Sequence, residues 1–226
     1  MSRPRDPSER VFELTGCFGV RLDESRRDEL QAFYEGCADY FELITGQPPG
    51  PNEAAELLAS LPRGKTHDDK FVIGLFDAPG HMVGVLDVVR DYPQPGEWFL
   101  GLLMLGPRWR SRGLGERVYR RLEEWVRACG GTALHLIVQE QNPGALRFWQ
   151  RMGFVVKGMG KQQLATRENV YLRMTRELAP APEPSGTFVK SWLAAWRRGR
   201  GTPAGPAERV LLDPPRDPLQ NAIAGL

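Results

Sequence analysis

Short apolar runs, bounded by glycine, proline and asparagine, predict that a β-sheet forms the centre of this chain. The run Trp98–Leu105 is typical, because only Gly101 interrupts its large apolar side chains. The same composition predicts strands at residues 11–22, 70–76, 82–90, 97–105, 134–138, 155–157 and 170–174. The turn residues Asp77–Gly80 join the second and third of these strands as a hairpin.

Apolar positions spaced three and four residues apart predict helices between the strands. The longest stripe begins with Leu114, Val118 and Leu122. Asn142 and Pro143 are a favourable cap and first residue for a later helix. The predicted helices are residues 23–40, 52–61, 114–129 and 142–152.

The order of these elements predicts a mixed α+β fold. The first strands follow one another as an antiparallel meander, and the later strands alternate with two crossover helices. A doubly wound parallel sheet would need a helix after nearly every strand, so this order excludes it.

Changes in composition predict how the chain is divided. Residues 1–9 form a flexible polar tail, residues 10–178 the folded domain, and residues 179–187 a linker rich in proline and alanine. Residues 188–226 form a C-terminal extension with two tryptophans on one helical face. For this helix, docking on its own domain or on a second subunit competes with binding to a partner or a membrane surface.

Charge and cysteine content narrow the classes of function. The 30 basic residues nearly balance the 28 acidic ones, so no nucleic-acid partner is expected. The 3 cysteines are too widely spaced to predict a metal site or a disulfide framework, and no metal is expected. No apolar run approaches the ~20 residues that span a bilayer, and we expect a cytoplasmic protein without a membrane span.

The stretch Arg110–Gly115, between a strand and a helix, is a candidate phosphate site. Its two glycines let the backbone approach a ligand closely, and the first helical amides have no intrahelical acceptor. A dinucleotide fingerprint would need a third glycine. A P-loop at residues 64–66 is excluded because Ala59 stands where its first glycine is required.

Two motifs in the sequence resemble the GNAT family of N-acetyltransferases. Residues 110–115, Arg-Ser-Arg-Gly-Leu-Gly, are similar to the family's acetyl-CoA-binding motif, Gln/Arg-x-x-Gly-x-Gly/Ala after the fourth strand. Residues 142–154 resemble its second motif, Asn-x-x-Ala-x-x-Phe-Tyr-x-x-x-Gly-Phe. The specific resemblance covers residues 97–156, and the order of elements agrees over residues 10–178.

The resemblance implies a GNAT fold, whose central, twisted, mostly antiparallel sheet has splayed fourth and fifth strands and is flanked by helices. The backbone of Leu103, Met104 and Leu105 would then face the pantetheine arm of acetyl-CoA, with the Leu105 N–H as oxyanion donor. Further implied contacts with acetyl-CoA are Arg110, Arg112, Gly113, Leu114, Gly115, Glu116, Asn142, Phe148 and Trp149.

The acid and base of the reaction are less closely defined by the sequence. Glu97, at the start of the fourth predicted strand, is the first candidate for the general base, with Asp87, Asp91 and Glu140 as alternatives. Trp149 stands where the family has a tyrosine acid, and an indole N–H donates a hydrogen bond but does not supply a proton. Departure of CoA would then depend on the low pKa, ~8.5, of a thiol.

Together the motifs predict an N-acetyltransferase that moves an acetyl group from acetyl-CoA to a primary amine by direct attack in a ternary complex. The alternative is a non-catalytic acyl-CoA-binding sensor or interaction module of the same fold, which Trp149 favours. Small amines, antibiotics, amino acids and proteins all stay open as acceptors. The oligomeric state also stays open, with a homodimer as one alternative.

Two further interpretations concern side chains near the predicted site. Carboxylates suggest an acidic rim that would suit a cationic amine, and they are Asp68, Asp69, Asp91 and Glu97. His135 alternates with apolar residues in a buried strand, which predicts a hydrogen-bonded core histidine rather than a catalyst.

Overall fold

A computed structural model describes residues 10–165 and 167–179. The strands within these residues are β1 Arg10–Leu14, β2 Cys17–Arg21, β3 Lys70–Asp77, β4 Met82–Arg90, β5 Glu97–Leu105, β6 Ala133–Gln139, β7 Val155–Leu164 and β8 Arg167–Glu177. The α-helices are α1 Arg27–Glu35, α2 Ala38–Thr45, α3 Glu53–Ala59, α4 Leu114–Ala128 and α5 Pro143–Arg151. A short 3-10 helix at Glu24–Arg26 precedes α1, and a second, at Pro107–Trp109, precedes the turn that leads into α4.

These strands form one sheet in the order β1-β2-β3-β4-β5-β6-β8-β7. Neighbours are antiparallel except for β5 and β6, which are parallel because α4 crosses over between them. The predicted mixed α+β fold with a mostly antiparallel sheet is therefore confirmed.

Helices cover both faces of the sheet, and each face has its own hydrophobic core. On the first face, called the α4 face, side chains of α4 and α5 such as Leu122 and Phe148 pack with strand residues such as Leu136. On the second, called the α1 face, α1, α2 and α3 pack on strand residues such as Val85, with Phe41 among the buried side chains. Alternation along each strand therefore decides which core a side chain joins.

The strands β5 and β6 separate along their length. Only the first three residues of β5 pair with β6, and the last pair is Phe99 with His135. The rest of β5, up to Leu105, pairs with β4 alone, and a bulge at Gly101 interrupts that register. The opening between β5 and β6, called the β5–β6 gap, is thus closed at Phe99 and wide at Leu105, which confirms the predicted splay.

The single strand predicted at residues 11–22 is wrong. Gly16 adopts a φ of 85° and turns the chain back, so β1 and β2 form an antiparallel hairpin. Glycine reaches this left-handed region without the steric cost of a Cβ. The extra strand makes the predicted fourth and fifth strands β5 and β6.

The predicted helix at residues 23–40 is also wrong in its extent. The chain breaks at Gly36 and Cys37 into the separate helices α1 and α2. Both helices bury their apolar side chains in the α1-face core, so the apolar spacing continues across the break and does not reveal it. The last two predicted strands are longer than expected, because β7 and β8 extend through mainly polar residues at the sheet edge.

No helix in the described part of the chain is long and apolar enough to cross a membrane. The predicted tail at residues 1–9 and extension at residues 188–226 lie outside the described residues, as does the predicted linker beyond Ala179. The proposed division of the chain therefore stays a prediction.

Candidate active site

The turn between β5 and α4 lies at the wide end of the β5–β6 gap and holds two residues in a left-handed conformation. Ser111 has a φ of 57° and Gly113 a φ of 76°. A non-glycine residue with positive φ is uncommon and marks a constrained backbone. A Cβ added at Gly113 would meet no atom within 4 Å, so the φ value, and not crowding, calls for glycine.

The N-terminus of α4 is open to a ligand at this turn. Gly113 is the N-cap residue, and no side chain caps the helix. Leu114 and Gly115 are buried, whereas Arg112 and Glu116 are exposed. The first amides of a helix have no intrahelical acceptor and favour an anion. Because the Glu116 carboxylate lies 3.5 Å from Arg120, the part of Glu116 suited to a phosphate is its backbone N–H.

Arg110, predicted to bind acetyl-CoA, is held by the protein itself. Its Nε donates to the Leu105 carbonyl oxygen at 2.8 Å, and its Nη1 and Nη2 donate to the Asp39 carboxylate of α2. The hydrogen bond from Arg110 lowers the pKa of Asp39. Arg110 therefore connects α2, the end of β5 and the glycine turn, and Arg112 is the exposed guanidinium at the turn.

The backbone of β5 beside the gap alternates in direction. Gly106 donates its N–H to the Val83 carbonyl of β4 at 2.9 Å. Because bonded residues alternate in an antiparallel ladder, Leu103 and Leu105 direct their backbone groups away from β4 and into the β5–β6 gap. The Leu105 carbonyl accepts the Arg110 Nε, so its N–H is the group that remains there.

Met104, also predicted to contact acetyl-CoA, is placed differently. The same alternation turns its backbone toward β4, where it pairs with Val85. Its side chain is buried in the α1-face core. The structure therefore brings Leu103 and Leu105 to the gap and leaves the Met104 backbone outside it.

Asn142 caps α5 as predicted, because its Oδ1 accepts the Ala145 N–H at 3.0 Å. The cap uses the side-chain oxygen, which leaves the amide nitrogen as the group that can bind a ligand. Asn142 is buried at the end of β6, across the wide part of the β5–β6 gap from β5.

Trp149 lies inside the α4-face core and not on a ligand-facing surface. It is 0% exposed and packs edge-on against Tyr119, Phe148 and Phe154. Its indole N–H is buried without a partner among the described residues. Burial raises the pKa of the neighbouring Tyr119 phenol, which makes that group a poor substitute for the missing tyrosine acid.

Glu97 lies next to the closed end of the β5–β6 gap, where it meets His135. The Glu97 Oε2 is 3.1 Å from His135 Nε2, and His135 Nδ1 is 2.9 Å from Thr175 Oγ1. Burial lowers the pKa of His135, and the Glu97 charge opposes that shift. A neutral imidazole can donate one N–H to Glu97 and accept the Thr175 hydroxyl.

The hydrogen-bonded state of His135 is confirmed, but its predicted place in a core is wrong. Leu134 and Leu136 belong to the α4-face core, whereas His135 is half-buried on the α1 face. Its contact with Glu97 depends on the register of two parallel strands. That register is not visible in the sequence, so sequence reasoning missed the pair.

The alternative bases are placed less favourably. Asp87 is enclosed, with Lys70 Nζ 3.5 Å from its Oδ2, and burial raises its pKa to about 6. The Asp91 carboxylate accepts the Gly96 N–H at 2.7 Å, and Glu140 is exposed. Among the described residues, no group of three or more His, Cys, Asp or Glu side chains could hold a metal ion.

The predicted acidic rim is wrong as an open surface. Asp69 pairs with Arg90 at 3.1 Å, and Glu97 and Asp91 have the internal partners described above. Only Asp68 is exposed among these carboxylates. Arg90 neutralises Asp69, so the charge that an acceptor would meet here is smaller than the sequence suggests.

A mixed sheet that opens beside a glycine turn at a helix N-terminus defines the acetyltransferase fold that the motifs implied. The profile of the "Acetyltransferase (GNAT) family" matches residues 30–154. The chain belongs to the GNAT family.

Solved structures agree with this fold. An acetyltransferase from Thermus thermophilus has a TM-score of 0.59 at 22% identity, covering 75% of this chain and 99% of that one. A GCN5-related N-acetyltransferase from Brucella melitensis has a TM-score of 0.61 at 20% identity, covering 83% and 86%. A spermidine N-acetyltransferase from Vibrio cholerae, solved with CoA and spermine, has a TM-score of 0.57 at 14% identity, covering 73% and 96%.

Proposed function

We propose that the protein transfers an acetyl group from acetyl-CoA to a primary amine by direct attack in a ternary complex. The observation that carries this proposal is the β5–β6 gap, whose wide end adjoins the uncapped N-terminus of α4. A pyrophosphate at that N-terminus would direct the pantetheine arm along the free edge of β5. The thioester supplied by acetyl-CoA would then lie between the two strands, beside the backbone N–H groups of Leu105 and Leu103 that face the gap.

Different groups of the chain have separate proposed roles in binding acetyl-CoA and in stabilising the reacting thioester. The first amides of α4, from Leu114 to Glu116, bind the pyrophosphate, and Arg112 adds charge at the turn. The Asn142 amide nitrogen binds the arm from the β6 side. The Leu105 N–H is the proposed oxyanion donor. The Leu103 N–H, two residues nearer the closed end, is the alternative oxyanion donor.

Deprotonation of the amine is assigned to Glu97, alone or through water. Its carboxylate lies beyond the closed end of the gap and is oriented by His135, which Thr175 holds in turn. A positioned carboxylate that accepts one hydrogen bond retains lone pairs for the amine proton. Most of the rate enhancement would come from holding the amine and the thioester together.

Binding of acetyl-CoA tests the first half of this proposal. Gly113→Glu places a side chain and a negative charge at the pyrophosphate site, and Gly130→Glu is its matched control at the other end of α4. Gly130 has a φ of 81° and, like Gly113, has open space around an added Cβ. Calorimetric titration should show binding to wild type and to Gly130→Glu, with at least tenfold weaker binding to Gly113→Glu. Equal affinities for all three proteins would contradict the proposed site.

Turnover separates the enzyme from a non-catalytic acyl-CoA-binding module. The buried Trp149, in place of a tyrosine acid, is the observation that favours the second function. A thiol is a tolerable leaving group without an acid, so we expect acceptor-dependent release of free CoA with a panel of amines. Tight binding of acetyl-CoA without release by any amine would favour the binding module.

A further inference from the structure

We infer that residues 188–196 of the C-terminal extension dock on an exposed apolar patch at the edge of the sheet in the same chain. The patch, called the β7–β8 patch, consists of Val156, Met159, Val170 and Leu172. Residues 188–196 lie outside the described residues, and the inference concerns the surface that they bind. It does not depend on the proposed acetyl transfer.

Strand register places the four side chains of the patch on one face of the sheet. Met174 of β8 belongs to the α4-face core, and alternation along the strand puts Leu172 and Val170 on the same side. On β7, Val156 is opposite Met174 and Met159 is opposite Leu172. A bulge in β7 after Val156 explains why two side chains three residues apart share a face. The patch therefore continues the α4-face core toward the sheet edge.

The patch is unusual because its apolar side chains are exposed. Of the four large apolar side chains that are exposed among the described residues, three lie on β7, namely Val155, Val156 and Met159. Met159 is 66% exposed and Val156 is 44% exposed, while Leu172 and Val170 are half-buried. β7 is also the last strand in the sheet order. An exposed apolar edge strand is a site where other chains can pair, and natural proteins usually cover it.

The C-terminal extension contains a segment with a matching apolar face. Lys190 and Arg198 fall on the opposite side of the predicted helix, where they would remain in water. A helix this short is marginal in water alone, so its apolar face needs a surface that covers it. The apolar residues recur four positions apart in two adjacent rows, which are Phe188, Trp192 and Trp196, and Val189 and Leu193.

The connecting chain is long enough to bring this segment to the patch. Leu178 packs in the α4-face core, so the described chain ends beside that core. Leu172 lies six residues before Leu178, which is ~20 Å along β8, and β7 is ~5 Å further across the sheet. Residues 180–187 include three prolines and span ~25 Å when extended. Attachment through so short a linker gives the segment a high effective concentration at its own patch, which favours this patch over that of a second copy.

Trypsin cleavage after Lys190 measures whether the segment is docked in the full chain. No lysine or arginine lies between Arg176 and Lys190, so this bond is the first tryptic site beyond β8. When opening and closing are fast, the cleavage rate reports the undocked fraction. A synthetic peptide of residues 184–200 gives the rate for the undocked segment. We expect the full chain to be cut at least tenfold more slowly than this peptide.

A charge placed in the patch should remove this protection. Met159→Glu and Val156→Glu should each raise the cleavage rate by about tenfold or more, the effect of losing one buried apolar side chain. The matched control is Leu43→Glu, which introduces the same charge at a side chain 40% exposed on α2, over the other face of the sheet. It should leave the rate unchanged. Because all three side chains are exposed, the charge does not enter a core.

A change in the segment itself tests whether the two surfaces meet. Trp196→Glu should raise the rate as Met159→Glu does. The double variant should be cut no faster than either single variant, because both changes break one contact. Fully additive effects would mean that the two residues act independently and would overturn the inference.

Three other results would also overturn docking within the same chain. The first is cleavage of wild type at the rate of the peptide, or equal rates in Met159→Glu and Leu43→Glu. The second is protection that falls on dilution, which would assign the segment to a second copy. The third is protection that requires vesicles of phosphatidylglycerol, which would assign it to a membrane surface. Acetyl transfer is measured separately and is unaffected by any of these outcomes.

Discussion

At the scale of single residues, the buried pair Asp87 and Lys70 ties α3 to the sheet. Lys70 Nζ donates to the carbonyl oxygens of Leu57 and Ser60 at 2.6 and 2.7 Å, and these residues lie at the C-terminal end of α3. Asp87 Oδ1 has no partner among the described residues. Burial raises the pKa of Asp87 to about 6, although the nearby charge of Lys70 acts to lower it.

This raised pKa predicts a loss of stability as pH rises. The folded state holds the Asp87 proton more tightly than the unfolded state, so stability falls as pH rises from about 4 through 6. Asp87→Asn has no carboxyl group to ionise. Between pH 4 and pH 7, its free energy of unfolding should therefore gain roughly 2–3 kcal/mol relative to wild type. Urea denaturation at both pH values measures the difference.

Asp69→Asn is the control with the opposite sign. Burial raises the pKa of Asp69, but hydrogen bonds from Thr66 and Arg90 outweigh burial and hold it below the usual value. The stability from Asp69 is therefore lost only as pH falls below about 4. If Asp87→Asn and wild type keep a constant difference from pH 4 to pH 7, burial does not control the Asp87 carboxyl.

At the scale of one element, the C-terminal end of α4 is fixed by two successive glycines with different roles. Gly130 adopts a φ of 81° in open space, whereas a Cβ at Gly131 would lie 2.4 Å from a Val126 methyl group and 3.0 Å from Trp98. The first glycine supplies a backbone conformation that ends the helix. The second lets the chain pass close to α4 and enter β6.

The two glycines predict unequal effects of the same substitution. Gly130→Ala should cost about 1–2 kcal/mol, the penalty for a left-handed conformation with a Cβ. Gly131→Ala forces the neighbouring core apart, and overpacking costs about 1–3 kcal/mol or more. We expect Gly131→Ala to be the more destabilising, as measured by thermal unfolding. The reverse order would mean that the close contact with Val126 and Trp98 relaxes freely.

At the scale of the whole molecule, the β5–β6 gap is a break in the hydrogen bonding of an otherwise continuous sheet. Only the pairs from Glu97 to Phe99 join its two halves directly through β5 and β6. A ligand that bonds to both strands in the gap would complete this connection. The proposed acetyl-CoA site is therefore expected to contribute to the stability of the folded domain.

Thermal unfolding measures this contribution. A ligand that binds only the folded state adds about 2.7 kcal/mol at a concentration about 100 times its Kd. Acetyl-CoA should raise the Tm of wild type and of Gly130→Glu by several degrees, and that of Gly113→Glu far less. An equal rise in Gly113→Glu would show that acetyl-CoA binds away from the α4 N-terminus.

Most elements at this scale were predictable, because each has a local signal. Glycine turns, the Asn142 cap and apolar periodicity located α4, α5 and most strands within a few residues. The hairpin at Gly16 and the break at Gly36 were missed, since apolar composition continues across both. The predicted tail, linker and extension, the homodimer and the cytoplasmic location stay predictions.

Local motifs in the sequence were enough to identify the family and the glycine turn at Gly113, whereas the splayed strands followed only from the resemblance to that family. The tertiary structure alone decided what individual side chains are free to do. It brought Asp39 to Arg110 and His135 to Glu97. Such pairings join residues far apart in the chain through strand register and helix packing, which local patterns do not specify.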